Sequence, residues 1–530
     1  MRTSLFAATI AVVGALGLSP SPIMAQGDAD QQLGNVHFAT SCSEVAQRRI
    51  DRAMRYQHSF WFSTGKEIFE EALKADPTCA IAHWGIALSL LDNPHNAIPA
   101  PNLPLGLAAI QKAKAAGAKT QRERDYIDAL TLMYADYDKL SHRQRIGTYL
   151  KAMEALAAKY PSDDEAQIAY AITLNTSASP ADKTYAQQLK GAAILEPMSK
   201  RLPQHPGVTH YLIHLYDNPE TAEKGLEAAN RYAKVAPAAP HAQHMPAHIY
   251  TRVGYWKESI ASNTASVKAA RAEKSVGQYL HAMDYMVYAH LQLAQDKQAR
   301  AVIDEMLQSK NFNSNIFPPN FALAASPARY AVERGDWDAA AQLPVRPNSF
   351  SQVMAITHFA RALGAARSGK PDAAKADIAK LAELRDKLRE AKDAYWAEQL
   401  DIQWQIATAW VLAAEGKHDE ALKAMSAAAD AEDKTKISGV APGPLAPACE
   451  LYGQMLLERG MAKEALAAFE ATKVKEPNRY HGYVGAAQAA EKLGDKAKAK
   501  DNYQKLIALA AGTDSDRPEL ATARKFVAAN

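Results

Sequence analysis

Between His205 and Tyr285 the chain repeats itself. Pro206 and Pro240, His210 and His244, and His214 and His248 are each 34 residues apart. That period is the length of one helix–turn–helix unit. A unit this small cannot bury its apolar face alone, so it stacks on neighbours of its own kind and the chain grows as an array. The period returns near the other end, where Ala465 and Phe469 are followed 34 residues later by Ala499 and Tyr503. The fold class expected from this spacing is all-α, an α-solenoid of helical hairpins.

The repeat carries chemistry as well as shape. Within each pair, His210 with His214 and His244 with His248, the spacing is i to i+4, which sets both imidazoles on one face of a helix. Equivalent helices of stacked units lie about 8–10 Å apart, so four imidazoles can face one small volume. His281 and Asp284 lie near the next helix expected in register. Neutral imidazole is a common metal ligand, and this set offers four nitrogens, or three nitrogens with the carboxylate of Asp217 or Asp284. Such donors suit zinc, copper or iron. Tyr216 and Tyr250, also 34 apart, are candidates for hydrogen bonds to the ligands or for a general acid. The alternative is a polar strip in which His, Tyr and Asp satisfy one another or bind a peptide carboxylate. No catalytic residue is assigned.

A second group, His58, Trp61, His83 and Trp84, has the helical spacing of core aromatics and reads as packing. Its functional version has these four residues, His58 and Trp61 foremost, closing the same groove from the N-terminal side. Arg252 and Asp217 occupy adjacent register positions in neighbouring units and are expected to form a structural ion pair.

Composition narrows the partners. Lys plus Arg number 61 and Asp plus Glu 58, a formal charge of +3 spread without a basic tract. Nucleic acid and anionic membrane are poor partners for such a chain, because phosphate binding needs a concentrated basic footprint. Residues 1–25 read as a secretory signal peptide, with Arg2, an apolar stretch from Leu5 to Leu18 and a small-residue end at Ala25. A periplasmic or secreted protein is expected. No later apolar run reaches the roughly 18 residues a membrane span needs. In an oxidising compartment Cys42 and Cys79 are candidates for a bridge, and Cys449 reads as a buried free thiol. The sequence has no phosphate-binding glycine loop, Gly-x-Ser-x-Gly elbow, His-Glu-x-x-His or Cys-x-x-Cys, which disfavours nucleotide enzymes and common hydrolases.

The organisation expected along the chain is an N-terminal segment at 26–44, loose up to Val36, then N-terminal hairpins over 45–200, the histidine-rich units over 201–310, middle repeats over 311–438, and C-terminal repeats with a cap over 439–530. A proline-rich loop, NAIPAPNLP, is a candidate lip for a binding site, and GVAPGPLAP at 439–447 reads as a rigid hinge. Small, aromatic, small and proline positions recur as Gly65, Phe69, Ala72, Pro77 and as Gly453, Ala465, Phe469, Pro477.

These spacings resemble the tetratricopeptide repeat superfamily over nearly the whole chain after residue 25. Together with HSFWF, AHWGIALSL, HYLIHLYDNP and HMPAHIYTRVGYW they also resemble a group of exported bacterial tetratricopeptide proteins of similar length. The resemblance implies a right-handed superhelix whose first helices line a concave groove. In that register His210 and His244 take a groove-facing position, which implies imidazoles near solvent. The function expected is an exported solenoid that binds a protein or peptide in its groove, the alternative being a metal-binding protein or metal-dependent enzyme built on the histidine cluster.

Overall fold

The computed structural model describes residues 32–530 except 180–181, 310–314 and 436–438. The proposed signal peptide therefore lies outside the described residues. Everything regular within them is helical, in antiparallel hairpins that follow one another along the chain.

Local chemistry sets the ends of these helices. Ser43 caps α1 (Glu44–His58) by accepting from the Ala46 N–H. After α2 (Phe62–Ala75), Cys79 stands just before α3 (Ala80–Leu90) and is disulfide-bonded to Cys42, tying the N-terminal segment to the second hairpin. Proline takes the first turn of α9 (Pro206–Tyr216), where its missing N–H costs nothing, and the His205 imidazole caps that helix. The corresponding helix of the next unit is interrupted. It runs as α11 (Pro240–His244) and α12 (Pro246–Arg252), because Pro246 has no N–H to offer the Ala242 carbonyl.

The small and aromatic positions interlock between units. A Cβ placed on Gly85 would meet the Phe69 ring at 2.3 Å, and one on Gly485 would meet Phe469 at 2.2 Å. Each phenyl thus fills the gap left by the missing side chain on the following helix.

The array curls until its C-terminal repeats dock on its central ones. The α13 helix (Trp256–Ala272) sends the Trp256 indole N–H to the Asn478 carbonyl at 2.8 Å. Arg479 is fully buried and pairs with Glu333 and Glu450. Arg517 pairs with Asp296 at 2.5 Å.

The 439–447 segment is not a hinge between free repeats. Its prolines leave it rich in carbonyl acceptors and short of donors. Arg329 donates to the Pro444 carbonyl at 2.8 Å, and Tyr285 donates to the Gly439 carbonyl at 3.0 Å. The segment is thereby laid across the inner wall beside Asp217 and His248. No helix among the described residues is long and apolar enough to cross a membrane.

Candidate metal centre

Three helices of successive units supply the imidazoles: α9, the broken pair α11 and α12, and α14 (Val276–Gln292). They gather into two trios. In the first, the Nε2 atoms of His214 and His241 lie 3.0 and 3.1 Å from Nε2 of His210. In the second, Nε2 of His248 lies 3.0 Å from Nε2 of His244, and the His281 ring stands 4.5 Å from that of His244. In each trio one ligand atom per residue lies within 4.8 Å of the other two. The trios adjoin, with ring centroids 6.5 Å apart between His214 and His248 and 6.4 Å between His241 and His244.

The far side of each ring explains why these nitrogens converge. His210 donates from Nδ1 to the His58 carbonyl at 2.7 Å, so its Nε2 is a bare lone pair. His244 donates from Nδ1 to Asn263 Oδ1 at 2.6 Å, and the Asn263 amide is itself oriented by donating to the Ser259 carbonyl. His248 donates from Nδ1 to Asp217 at 2.9 Å, the carboxylate that also accepts from Arg252 at 2.9 Å. The Nδ1 of His281 is buried and has no hydrogen-bond partner among the described residues.

An imidazole nitrogen has one in-plane lone pair, so His210 Nε2 cannot receive two good N–H donors at once. A proton shared between the rings is a poor way to relieve that contact. Burial pulls His210 and His281 down to about 3 and sets His214, His241 and His244 well below the ordinary histidine value. For Asp217, burial works to raise the carboxyl, and the Arg252 guanidinium and His248 overcome it, holding it ionised far below the usual range.

A third cluster looks similar and is different in kind. Glu165 accepts from Nε2 of His58 at 3.0 Å and from Nε2 of His205 at 2.9 Å. Tyr211 donates to His58 Nδ1 at 3.0 Å, and the Val208 N–H donates to His205 Nδ1. Every imidazole nitrogen there has its partner, so the cluster is a closed hydrogen-bond network that fixes the carbonyl of His58 under His210.

The expected residues divide accordingly. His210, His214, His244, His248 and His281 are brought together, and Asp217 stands behind His248. Asp284 is not with them: its carboxylate accepts from Ser326 at 2.7 Å, across the interface with α16 (Phe317–Glu333). Tyr216 and Tyr250 also turn away, because their ring positions pack on the preceding hairpins; their hydroxyls donate to Glu196 and to Asn230. A tyrosine the spacing did not single out, Tyr285, brings its hydroxyl 3.4 Å from His248 Nδ1. Trp61 packs on Tyr56, and Trp84 is core between Phe38 and Tyr126. Cys449 is partly buried, and burial raises its thiol to about 12.

Two corrections concern exposure and membership. His210 and His244, expected near solvent, are 0 % and 1 % exposed, since Phe60 and Tyr232 cover the first and Tyr285 the second. His241 completes the first trio and has no counterpart 34 residues earlier, where Gly207 stands. The signal for it was its spacing of three and seven residues from His244 and His248, one helical face.

No family model matches this chain, and no curated protein matches it. Among solved structures, it is similar to the Cut9–Hcn1 hetero-tetramer of the APC/C at 10 % identity, covering 91 % of this chain and 89 % of that one with a TM-score of 0.30. It is similar to yeast Tom70 at 13 % identity, covering 92 % and 95 % with a TM-score of 0.32. By its own 34-residue spacing and its run of antiparallel hairpins, the chain is a helical-hairpin array with an imidazole cluster set into its central units.

Proposed function

We propose that the central repeats hold two transition-metal ions, one on His210, His214 and His241 and the other on His244, His248 and His281, and that the protein works as a metalloprotein. One observation carries this reading: Nε2 of His210 lies 3.0–3.1 Å from those of His214 and His241, and Nε2 of His244 lies 3.0 Å from that of His248, while the opposite nitrogens of His210, His244 and His248 are engaged by acceptors. Ligands about 2.0–2.1 Å from one ion and about 90–110° apart lie about 2.9–3.4 Å from each other. Three protein ligands leave a coordination position open, as in catalytic and unlike structural sites. A neutral all-nitrogen donor set suits copper or zinc better than magnesium, calcium or manganese. The acceptors behind the rings supply the orientation that metal-bound histidines need.

The test is a titration of the metal-free, untagged chain with Co²⁺ followed by its visible d–d bands. Saturation at two equivalents is expected, with loss of one equivalent in His214→Ala and one in His248→Ala. Absence of bands in the wild type, at concentrations where free Co²⁺ is in excess, overturns the reading.

A second reading is a protein or peptide ligand on the inner wall. It draws support from a cavity of ≈ 140 Å³ that mixes Trp396 and Tyr395 with Arg329, Asp217 and Glu476. A peptide held there would be weakened by Trp396→Ala and untouched by His214→Ala, the reverse of the metal.

A further inference from the structure

The two imidazole trios are not walled off from each other. Inside each trio the widest spacing of ring centroids is 6.3 Å, from His214 to His241 and from His248 to His281. Across the boundary between the trios, His241 stands 6.4 Å from His244 and His214 stands 6.5 Å from His248. A boundary barely wider than the spacing within a site leaves no room for a side chain to stand in it. One short helix supplies both sides. His241 of the first trio and His244 of the second are three residues apart on α11, neighbours on one helical face and about 4.5 Å apart along its axis.

Charge around the six rings is one-sided. All six donors are imidazoles, neutral when they ligate, so two divalent ions bring four positive charges and their ligands balance none of them. Asp217, the carboxylate behind His248, is already matched by the Arg252 guanidinium. Asp284 turns to Ser326, and Glu165 is engaged by His58 and His205. His210 and His244 are buried, where charge without a partner is costly. His214, His241 and His281 are half-buried, so a small solute can approach from their side.

We infer that the two ions form a single dinuclear centre closed by one small inorganic anion that bridges them, either hydroxide or an exogenous anion of similar size. A bridging anion fills the open position of both ions at once and offsets charge that the imidazoles leave unbalanced. A neutral molecule in the same place would leave the charge as it was. Ions that share a ligand in two-metal sites stand about 3.5–4 Å apart, a separation commensurate with the single turn of α11 that carries one ligand for each. The inference rests on the two-ion reading above, and the experiment separates the two.

The metal-free, untagged chain is loaded with two equivalents of Cu²⁺ under air. Bound copper is counted by elemental analysis and unpaired spins by electron paramagnetic resonance, before and during titration with azide. Two bound ions with almost no signal are expected, because exchange through a bridging anion pairs their spins. A folded His214→Ala chain, or His241→Ala should the first misfold, should bind one ion and show one full spin, as should His248→Ala; the full spin also excludes reduction of the copper. Azide should saturate its charge-transfer band at one per pair of ions, and a silent pair that azide leaves unchanged would identify the bridge as hydroxide. Two bound ions with two full spins, sharp or broadened, or azide saturating at two per chain, would overturn the shared anion and leave the two sites standing. Fewer than two bound ions would overturn the two-ion reading, and the pair with it.

Discussion

The carboxylate of Asp217 joins two buried side chains that cannot both do without it. His248 and Arg252 each reach it at 2.9 Å, and Arg252 is 5 % exposed. Asp217→Asn keeps the shape and removes the charge, so the guanidinium of Arg252 is left in the interior facing an amide. Removing one partner of a buried pair costs about 3–5 kcal/mol. The same change loosens His248, and the loss of such a supporting carboxylate weakens metal binding about 10- to 100-fold. Both effects are measurable on one preparation. The urea midpoint of the metal-free chain gives the first, provided the slope is unchanged, and a zinc titration gives the second. Only the His244, His248 and His281 site should weaken, because His210, His214 and His241 make no contact with Asp217. Glu227→Gln, which removes an exposed pair with Arg231 3.6 Å away, is the control and should stay within about 0.5 kcal/mol. A loss below about 1 kcal/mol in Asp217→Asn, together with unaltered binding at both sites, would show that this carboxylate neither balances Arg252 nor orients His248.

Further outcomes follow from other parts of the molecule. His241→Ala should leave a folded chain that binds one ion in place of two by equilibrium dialysis; retention of two would remove His241 from the centre. Burial raises Glu432 to about 8, where it accepts from the Ala448 N–H, so the folded chain holds a proton that the unfolded chain has lost at neutral pH. The stability tied to that proton is full below the ordinary carboxylate range and is lost as pH climbs toward 8. Glu432→Gln should therefore gain in melting temperature over the wild type as pH rises from about 5 to about 8, and a difference that does not change with pH contradicts the assignment. Gly485→Ala drives a methyl against the Phe469 ring and should cost about 1–3 kcal/mol by chemical denaturation. A neutral result would mean that the ring has room to move.

The repeat was legible because stacking leaves a period in the chain. Two prolines and four histidines at one spacing are enough to define equivalent helices, and the glycine and phenylalanine positions confirm the interlock seen between Gly85 and Phe69. Composition and position also pointed to Cys42 and Cys79, which are joined. Less legible was anything that depends on the curl of the array. The 439–447 segment has the composition of a hinge, and only the return of the C-terminal repeats shows that Arg252, Arg329 and Tyr285 take up its carbonyls. Asp284 and His281 are three residues apart on one helix, yet they meet different neighbours, because the helix is packed on both sides. Tyr216 and Tyr250 keep the repeat faithfully and for that reason point at neighbouring hairpins and not at the cluster. His241 breaks the repeat, and a search for duplicated residues passes over it. Burial of His210 depends on Phe60, about 150 residues away in the chain, a contact no local pattern encodes.

The central claim is that two three-histidine sets exist to hold metal. Elemental analysis of the untagged chain, expressed with an export signal, purified without chelator and set against protein concentration, tests it most directly. The account predicts two copper or zinc ions per chain, falling to none in a folded His210→Ala plus His244→Ala variant. A wild-type preparation that carries no metal after growth with copper and zinc supplied would contradict it.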